Sequence, residues 1–164
     1  MEKAPNVSIG KAFEGLFDFL AGIKRVLHIP QHVETKFRGK GEVYVTGTAW
    51  PDRVCAIQSL MFVLDLKSTA NKKSVDLSAA PDAQTRIRKA KQFIKLQTCW
   101  EHGVVSFYLI EWRERDDIRM YLVDSKASWP FKCYYDNGIP LGSPSDDIWF
   151  DTMVNGVLRM YGQT

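Results

Sequence analysis

The stretch GVVSFYLIEWRERDDIRMYLVD, Gly103 to Asp124, decides the fold. Two runs rich in β-branched and aromatic residues flank the charged segment RERDD, and neither run has a helical period. In the first run, apolar residues fall at odd and even positions alike, which is typical of a strand near the middle of a sheet. The return run has one apolar and one amphipathic face. The stretch therefore predicts a long β-hairpin whose second arm lies nearer solvent.

Length and composition favour one cytosolic domain. The chain has 164 residues, of which 45% are hydrophobic, enough for a single core. No apolar run approaches the roughly 20 residues that span a bilayer, so neither a membrane helix nor a standard secretion signal is predicted. The three cysteines, Cys55, Cys99 and Cys133, are odd in number and far apart, which indicates free thiols in a reducing compartment.

The first half of the chain predicts two helices and a strand. Residues 1–7 are interpreted as a mobile arm, and residues 8–29 as an amphipathic helix that ends at Pro30. The run from Lys36 to Trp50 is β-branched and alternating, which predicts a strand. Pro51 can begin a helix, and the apolar stripe that follows predicts one that extends to Leu66 and packs on the sheet.

The second half supplies more strands and a closing helix. A polar loop at 67–80 precedes a short basic helix that opens at Pro81 and Asp82. Phe93 to Trp100 reads as a strand paired with the first arm of the hairpin. An aromatic strand, WPFKCYYD at 129–136, and a loop then lead to a last helix from Ser145 to about Tyr161. The prediction is an α+β fold, one domain over residues 8–164, with a central antiparallel sheet packed by two or three helices.

Charge is divided unevenly along the chain. Residues 1–100 carry 16 Lys and Arg against 9 Asp and Glu, a net of +7, whereas residues 101–164 carry 6 against 10, a net of −4. If folding keeps these halves apart, the basic side is suited to RNA, to anionic phospholipid or to the acidic side of another copy. If folding intermixes the halves, no such surface exists.

The most basic segment is the short helix after Pro81. Its cations, beside a flexible loop, can neutralise phosphates without reading base sequence, although a solubilising helix face would have the same composition. The candidate residues for RNA or phosphate binding are Arg86, Arg88, Lys89, Lys91, Lys95, Lys72 and Lys73. Acidic positions that could meet this basic face in a second copy are Asp116, Asp117, Asp146 and Asp147.

Histidine and cysteine positions predict no metal site and no cofactor. His28 and His32 have the spacing of a helical zinc pair, but Pro30 interrupts the helix between them. Cys99 and His102 lack nearby partners to complete four ligands. The sequence also contains no glycine-rich phosphate loop and no nucleophile elbow, so no catalytic residue is assigned.

Carboxylates on the central hairpin leave a nuclease as an alternative. Nucleases of the PD-(D/E)xK kind place an acidic residue and a D/E-x-K triplet on neighbouring strands, so that two carboxylates hold Mg²⁺ while the lysine steadies the attacking water. Asp116 or Asp117 together with Asp124-Ser125-Lys126 could supply such a set, and Pro51-Asp52, remote along the chain, could supply the other half. Acidic turns are more often only solvated.

The order of elements resembles a known family. A mobile arm, the strand GEVYVTGTAWP, an immediate helix DRVCAIQSLMFVLD and then several antiparallel strands are similar to the matrix proteins of rhabdoviruses, especially the short ones of plant-infecting members. The likeness covers roughly Lys36 to Asp124 and rests on order and size, and no PPxY motif is present. It implies a non-enzymatic protein that condenses the nucleocapsid, coats the inner membrane face and self-associates.

These observations lead to three hypotheses about function. The first is a viral matrix-like assembly protein of the host cytoplasm and the virion's inner membrane face, which associates with itself and bridges ribonucleoprotein and an anionic membrane surface. The second is an RNA-binding effector such as a silencing suppressor. The third is the Mg²⁺-dependent nuclease.

Overall fold

The computed structural model describes residues 9–30, 35–38, 42–45, 51–70, 74–76, 82–114, 117–127, 132–134 and 137–162. The helices are α1 (Ile9–Ile23), α2 (Ala83–Glu101) and α3 (Ile148–Tyr161), with a 3₁₀ turn at Ser125–Ala127. The strands are β1 (Leu27–Pro30), β2 (Thr35–Arg38), β3 (Glu42–Val45), β4 (Arg53–Ile57), β5 (Leu60–Thr69), β6 (Ser74–Asp76), β7 (Val105–Glu114), β8 (Asp117–Asp124), β9 (Lys132–Tyr134) and β10 (Gly138–Gly142).

A six-stranded sheet with the order β1-β4-β5-β7-β8-β10 forms the centre of the molecule. All neighbouring pairs are antiparallel except β5 and β7, which run parallel from Phe62↔Val105 to Thr69↔Trp112. Helix α2 lies between these two strands in the chain and makes the crossover that a parallel pair requires. The predicted α+β class is confirmed, with one parallel pair inside a mainly antiparallel sheet.

Helices cover both faces of this sheet. On one face, α1 and α3 bury their aromatic residues, among them Phe17 and Trp149, against alternate residues of the central strands. On the other face, α2 packs Phe93 and Leu96 against a second, smaller cluster. Strands β5 and β7 are apolar on both faces because each face is covered. The residues of β5 from Phe62 to Leu66 are all buried.

The prediction of a helix from Pro51 to Leu66 is wrong, because this segment forms the β4–β5 hairpin. Arg53 pairs with Leu64 and Ile57 pairs with Leu60, so that Gln58 and Ser59 form the turn. A short run that is apolar on every side has no period with which to distinguish a buried strand from a buried helix. The apolar residues that suggested one helix face are instead divided between the two strands, where Leu64 is buried and Met61 is exposed.

Three further boundaries differ from the sequence interpretation. Phe93 to Trp100 is the end of α2 and not a strand, because Phe93 and Leu96 share the helix face that packs on the sheet. The first helix ends at Ile23, since Arg25 takes a positive φ of 56° and the chain returns as β1. The region predicted as one strand from Lys36 contains the pair β2 and β3, and residues 46–50 lie outside the described ranges.

The predicted loop at 67–80 contains the end of β5 and strand β6, and the loop predicted before the closing helix contains β10. Three other expectations agree with the structure. The hairpin at 103–124 is confirmed as β7 and β8, with Phe107 paired to Asp124 at its base. The closing helix is confirmed as α3. Asp82 caps α2 as predicted, since its Oδ1 accepts from Thr85 N–H at 2.8 Å. The arm at 1–7 lies outside the described ranges, and no described helix is long and apolar enough to cross a membrane.

Candidate active site

The β4–β5 hairpin brings two aspartates together. Its register pairs Arg53 with Leu64, so that Asp52, the residue just before β4, comes next to Asp65. Asp52 is fixed there because its Oδ2 accepts a hydrogen bond of 2.8 Å from the backbone N–H of Leu66. Residues that are 13 positions apart in the sequence thus become neighbours across two strands.

A lysine completes the group from the same strand. Asp65 and Lys67 are two residues apart in β5 and therefore project from the same face of the sheet. Lys67 Nζ lies 2.6 Å from Asp65 Oδ2, and the lysine side chain keeps about 20% of its surface exposed. Asp65 is 1% exposed. The lysine is thus the exposed end of a largely buried ion pair.

Burial and like charge perturb the titration of this group. Burial, together with the Asp52 carboxylate, raises the pKa of Asp65 to about 7 against the opposing influence of Lys67. Burial lowers the pKa of Lys67, but the Asp65 and Asp52 carboxylates outweigh burial and leave that pKa above its ordinary value. A strongly perturbed carboxyl with a defined charge partner is a feature of functional sites.

The Asp65 carboxyl is also incompletely satisfied. Its Oδ1 is buried and has no hydrogen-bond partner within the described part of the chain. A buried acceptor that lacks a partner destabilises the fold unless a ligand or water satisfies it. Two adjacent carboxylates, one with a free buried oxygen, fit a hard divalent cation such as Mg²⁺.

The donor set is small, and it suits Mg²⁺ better than zinc. Among the residues that the structure describes, no third His, Cys, Asp or Glu joins the pair to make a metal-binding cluster. Glu14 of α1 is instead 3.3 Å from Arg53, which also binds Asp18. Mg²⁺ commonly takes one or two carboxylates and keeps its remaining positions for water and substrate phosphate, so a pair is sufficient for it.

Basic residues of α2 lie beside the carboxylates. Arg88 interacts electrostatically with Lys67 and acts to lower its pKa. The pKa of Lys89 is lowered, first by burial and then by Lys67, while Asp76 and Asp65 act in the opposite direction. Two of the residues predicted to bind phosphate therefore adjoin the site.

The remaining predicted cations are spread more widely. Arg86 and Lys91 are exposed on α2, and Lys95 is half-buried further along the helix. Lys72 and Lys73 lie outside the described ranges, between β5 and β6. Their role in binding phosphate stays a prediction.

The D-x-K triplet chosen from the sequence has a local structural role. Asp124 ends β8, and its Oδ1 accepts a hydrogen bond of 2.8 Å from Lys126 N–H, which closes the 3₁₀ turn. The Lys126 ammonium lies 3.9 Å from the centre of the Trp100 ring, a cation–π contact.

The acidic residues predicted for self-association have partners within the chain. Asp117 Oδ2 lies 2.7 Å from Arg119 Nη2, and Asp147 lies 2.8 Å from Lys24 Nζ. Asp146 Oδ1 accepts from Ile148 N–H at 3.1 Å. Asp116 lies outside the described ranges. Self-association through these residues stays a prediction.

Sequence reasoning missed Asp65 and Lys67 although the pattern was present. Pro51-Asp52 is followed by Asp65-Leu66-Lys67, an acidic residue and a D-x-K triplet in the order that the nuclease alternative requires. The assignment of a helix to this segment hid the pattern, because 13 residues of helix would separate the two carboxylates by about 20 Å.

Comparison with known proteins finds likenesses among solved structures. No family model and no curated protein matches the chain. Among solved structures, the chain is similar to Hjc, a Holliday junction resolvase from the archaeal hyperthermophile Archaeoglobus fulgidus, with a TM-score of 0.47 and 14% identity. The match covers 80% of this chain and 95% of the resolvase. At this level of similarity the likeness by itself assigns no activity.

The matrix-protein hypothesis is wrong. It required a helix directly after the strand that ends at Pro51, and that segment is the β4–β5 hairpin. The expectation of a non-enzymatic protein, and with it the ribonucleoprotein and membrane partners of a matrix layer, is withdrawn.

Proposed function

We propose that this protein is a metal-dependent nuclease of the PD-(D/E)xK kind, which hydrolyses phosphodiester bonds of nucleic acid. The observation that supports this proposal is the hairpin register that sets Asp52 beside Asp65 and Lys67, with one buried Asp65 oxygen that no donor among the described residues satisfies. The perturbed pKa of Asp65 and the cations of α2 agree with it.

Each residue has a role that its geometry suggests. Asp52 and Asp65 would hold a Mg²⁺ ion, which when bound would polarise the scissile phosphate and make a water molecule more acidic. Lys67, held by Asp65 but partly exposed, can orient the attacking water and stabilise negative charge that develops on the phosphate. Arg88 and Lys89 can bind phosphates on either side of the scissile bond.

The nuclease proposal is tested by cleavage with and without metal. Duplex and single-stranded DNA and RNA are incubated with the purified protein in Mg²⁺ and, separately, in EDTA. We expect cleavage only with Mg²⁺, and Asp52→Asn to reduce its rate by about a hundredfold or more, equivalent to about 2.7 kcal/mol of transition-state stabilisation. The matched control is Asp117→Asn, which changes an exposed aspartate that pairs only locally. Cleavage that survives in Asp52→Asn would refute the proposal.

A further inference from the structure

A pocket lies on the opposite face of the sheet from Asp65 and Lys67. Its volume is about 250 Å³, and it is lined by Gly10, Ser68, Thr69, Ala70 and Arg113. Three of these residues belong to the carboxyl ends of the parallel strands β5 and β7, and Gly10 belongs to the first turn of α1. The carboxyl ends of parallel strands are a frequent place for ligands in sheets covered by helices.

A buried carboxylate holds the arginine of this pocket in place. Glu111 is 2% exposed and forms an ion pair with Arg113 Nη2 through its Oε1. Its other oxygen, Oε2, accepts a hydrogen bond of 2.8 Å from the hydroxyl of Ser68. The guanidinium is therefore oriented before any ligand arrives, while about 34% of the Arg113 side chain remains accessible. Such an arrangement reduces the entropy that binding would otherwise cost.

One donor of the pocket's arginine has no acceptor among the residues that the structure describes. Arg113 Nε is buried, and no hydrogen-bond partner for it exists within the described ranges. The pocket also borders the N-terminus of α1, where backbone N–H groups favour anions, and the first turn of α1 has no acidic residue. Because Glu111 offsets part of the arginine charge, the attraction comes from directed N–H donors more than from net charge. Directed donors of this kind suit the oxygens of a phosphate.

We infer that this pocket binds a backbone phosphate of the nucleic acid, next to the phosphate that is cut. The inference rests on the proposed nuclease function. Lys67 and Ser68 are consecutive in β5 and project from opposite faces of the sheet. The pocket and the carboxylates therefore lie on opposite faces at the same end of β5. A nucleic-acid strand that crosses this end of the sheet can contact Lys67 on one face and Arg113 on the other. Arg113 would then position the substrate without touching the reacting atoms.

Binding without metal tests this inference apart from cleavage. The affinity for a fluorescein-labelled DNA duplex is measured by anisotropy in EDTA over a range of salt concentrations. We expect Arg113→Met to weaken binding roughly tenfold or more, the effect of losing a hydrogen bond to a charged group. The slope of log affinity against log salt should fall by about 1. Arg119→Met is the matched control, because Arg119 is also on the hairpin but pairs with Asp117 and, opposite Trp112, projects from the other face of the sheet.

A second pair of variants guards against loss of folding in Arg113→Met, which leaves Glu111 buried without its cation. A Cβ at Gly10 or at Gly15 of α1 would meet no atom within 4 Å, so both glycines accept a side chain. Only Gly10 lines the pocket. Gly10→Glu should therefore weaken binding, and Gly15→Glu, which makes the same charge change on the same helix, should weaken it much less.

Two further binding measurements distinguish a backbone phosphate from a terminal 5′-phosphate and from free inorganic phosphate. A duplex with a terminal 5′-phosphate should bind with the same affinity as one without it, and inorganic phosphate should compete only weakly. A preference for the 5′-phosphate, or strong competition by inorganic phosphate, would contradict the assignment to a backbone phosphate. The assignment of this pocket would be refuted if the Arg113 and Arg119 variants lost equal affinity for DNA and the two glycine variants also lost equal affinity. The nuclease proposal is judged separately, by cleavage in Mg²⁺.

Discussion

At the scale of single residues, Asp65 has features that suit the binding of a cation but destabilise the folded protein without one. Its carboxyl is buried, lies beside a second carboxylate and has an oxygen for which the described part of the chain supplies no donor. Each of these destabilises the ionised form in the absence of a cation. Strain of this kind is retained where function needs it. A bound divalent cation would satisfy the free oxygen and favour the ionised carboxyl.

The pH dependence of stability follows from the raised pKa of Asp65. An unfolded aspartate titrates near 3.9, whereas Asp65 titrates at about 7, so the folded state holds its proton more tightly. The stability that this proton contributes is complete below about pH 4 and is lost as the pH rises through about 7. Without metal, the unfolding temperature should therefore fall over this range. In the Asp65→Asn variant, the unfolding temperature should fall less over this pH range. A fall as steep as that of the unaltered protein would show that other groups cause the pH dependence.

Metal affinity should show the opposite trend. A cation binds the ionised carboxyl, so binding releases a proton wherever Asp65 is still protonated. We expect the affinity for Mg²⁺, measured by calorimetry, to increase as the pH rises toward about 7 and then to level off. Proton release can be measured directly by repeating the titration in buffers of different ionisation enthalpy. Affinity that does not change with pH would place the cation elsewhere.

Local sequence identified the chemistry but not the residues that perform it. Asp124-Ser125-Lys126 and Asp65-Leu66-Lys67 have the same pattern, and nothing in three residues distinguishes them. What distinguishes them is the neighbour. Asp65 lies beside Asp52, whereas Asp124 accepts the backbone N–H of Lys126 and closes a turn. That contrast depends on the pairing of strands, which is a long-range property.

At the scale of elements, the β4–β5 hairpin decides whether the site exists. The central hairpin was predictable from the sequence because its two arms are long, β-rich and separated by charged residues. The β4–β5 hairpin was not, because its turn contains no Gly, Asn-Gly or Pro to mark it. Gln58 takes the left-handed conformation at that turn, with φ of 55°. The same reasoning explains why the end of α2 was read as a strand.

The turn provides a test of the hairpin by the sign of one mutation. The left-handed conformation costs a non-glycine residue roughly 1 kcal/mol or more, so Gln58→Gly should raise the free energy of unfolding by about that amount. If the segment were a helix, the same change would lower it by about 1 kcal/mol. Chemical denaturation distinguishes the two outcomes. Ser68→Gly, inside β5, serves as a control that should destabilise.

Helix α1 is held to β4 by a buried arginine. The side chain of Arg53 is 5% exposed and binds Asp18 through hydrogen bonds of 2.8 and 2.9 Å, with Glu14 more distant at 3.3 Å. Removing the closer partner leaves a buried charge without compensation, which destabilises a protein by about 3 kcal/mol or more. We expect Asp18→Ala to approach this loss in urea denaturation and Glu14→Ala to cost under about 1 kcal/mol, since that pair is longer and more exposed. Equal effects would contradict this account of α1 docking.

At the scale of the whole molecule, the parallel pair β5 and β7 places α2 over the candidate site. The basic character of α2 was evident from the sequence, but its position beside Lys67 was not, because it depends on the crossover from β5 to β7. We expect replacement of Arg88 and Lys89 by Gln to weaken nucleic-acid binding and to lower the salt slope by about 2. Replacement of Lys24 and Arg119, which pair with carboxylates elsewhere, should have a smaller effect.

The central claim is that Asp65-Leu66-Lys67, and not Asp124-Ser125-Lys126, belongs to a metal-dependent nuclease site. The most direct test compares cleavage of nucleic acid in Mg²⁺ by Asp65→Asn and by Asp124→Asn, each checked for folding by circular dichroism. This account predicts that Asp65→Asn loses cleavage by about a hundredfold or more while it still binds nucleic acid, and that Asp124→Asn cleaves like the unaltered protein. Full activity in Asp65→Asn, or loss of activity confined to Asp124→Asn, would contradict it.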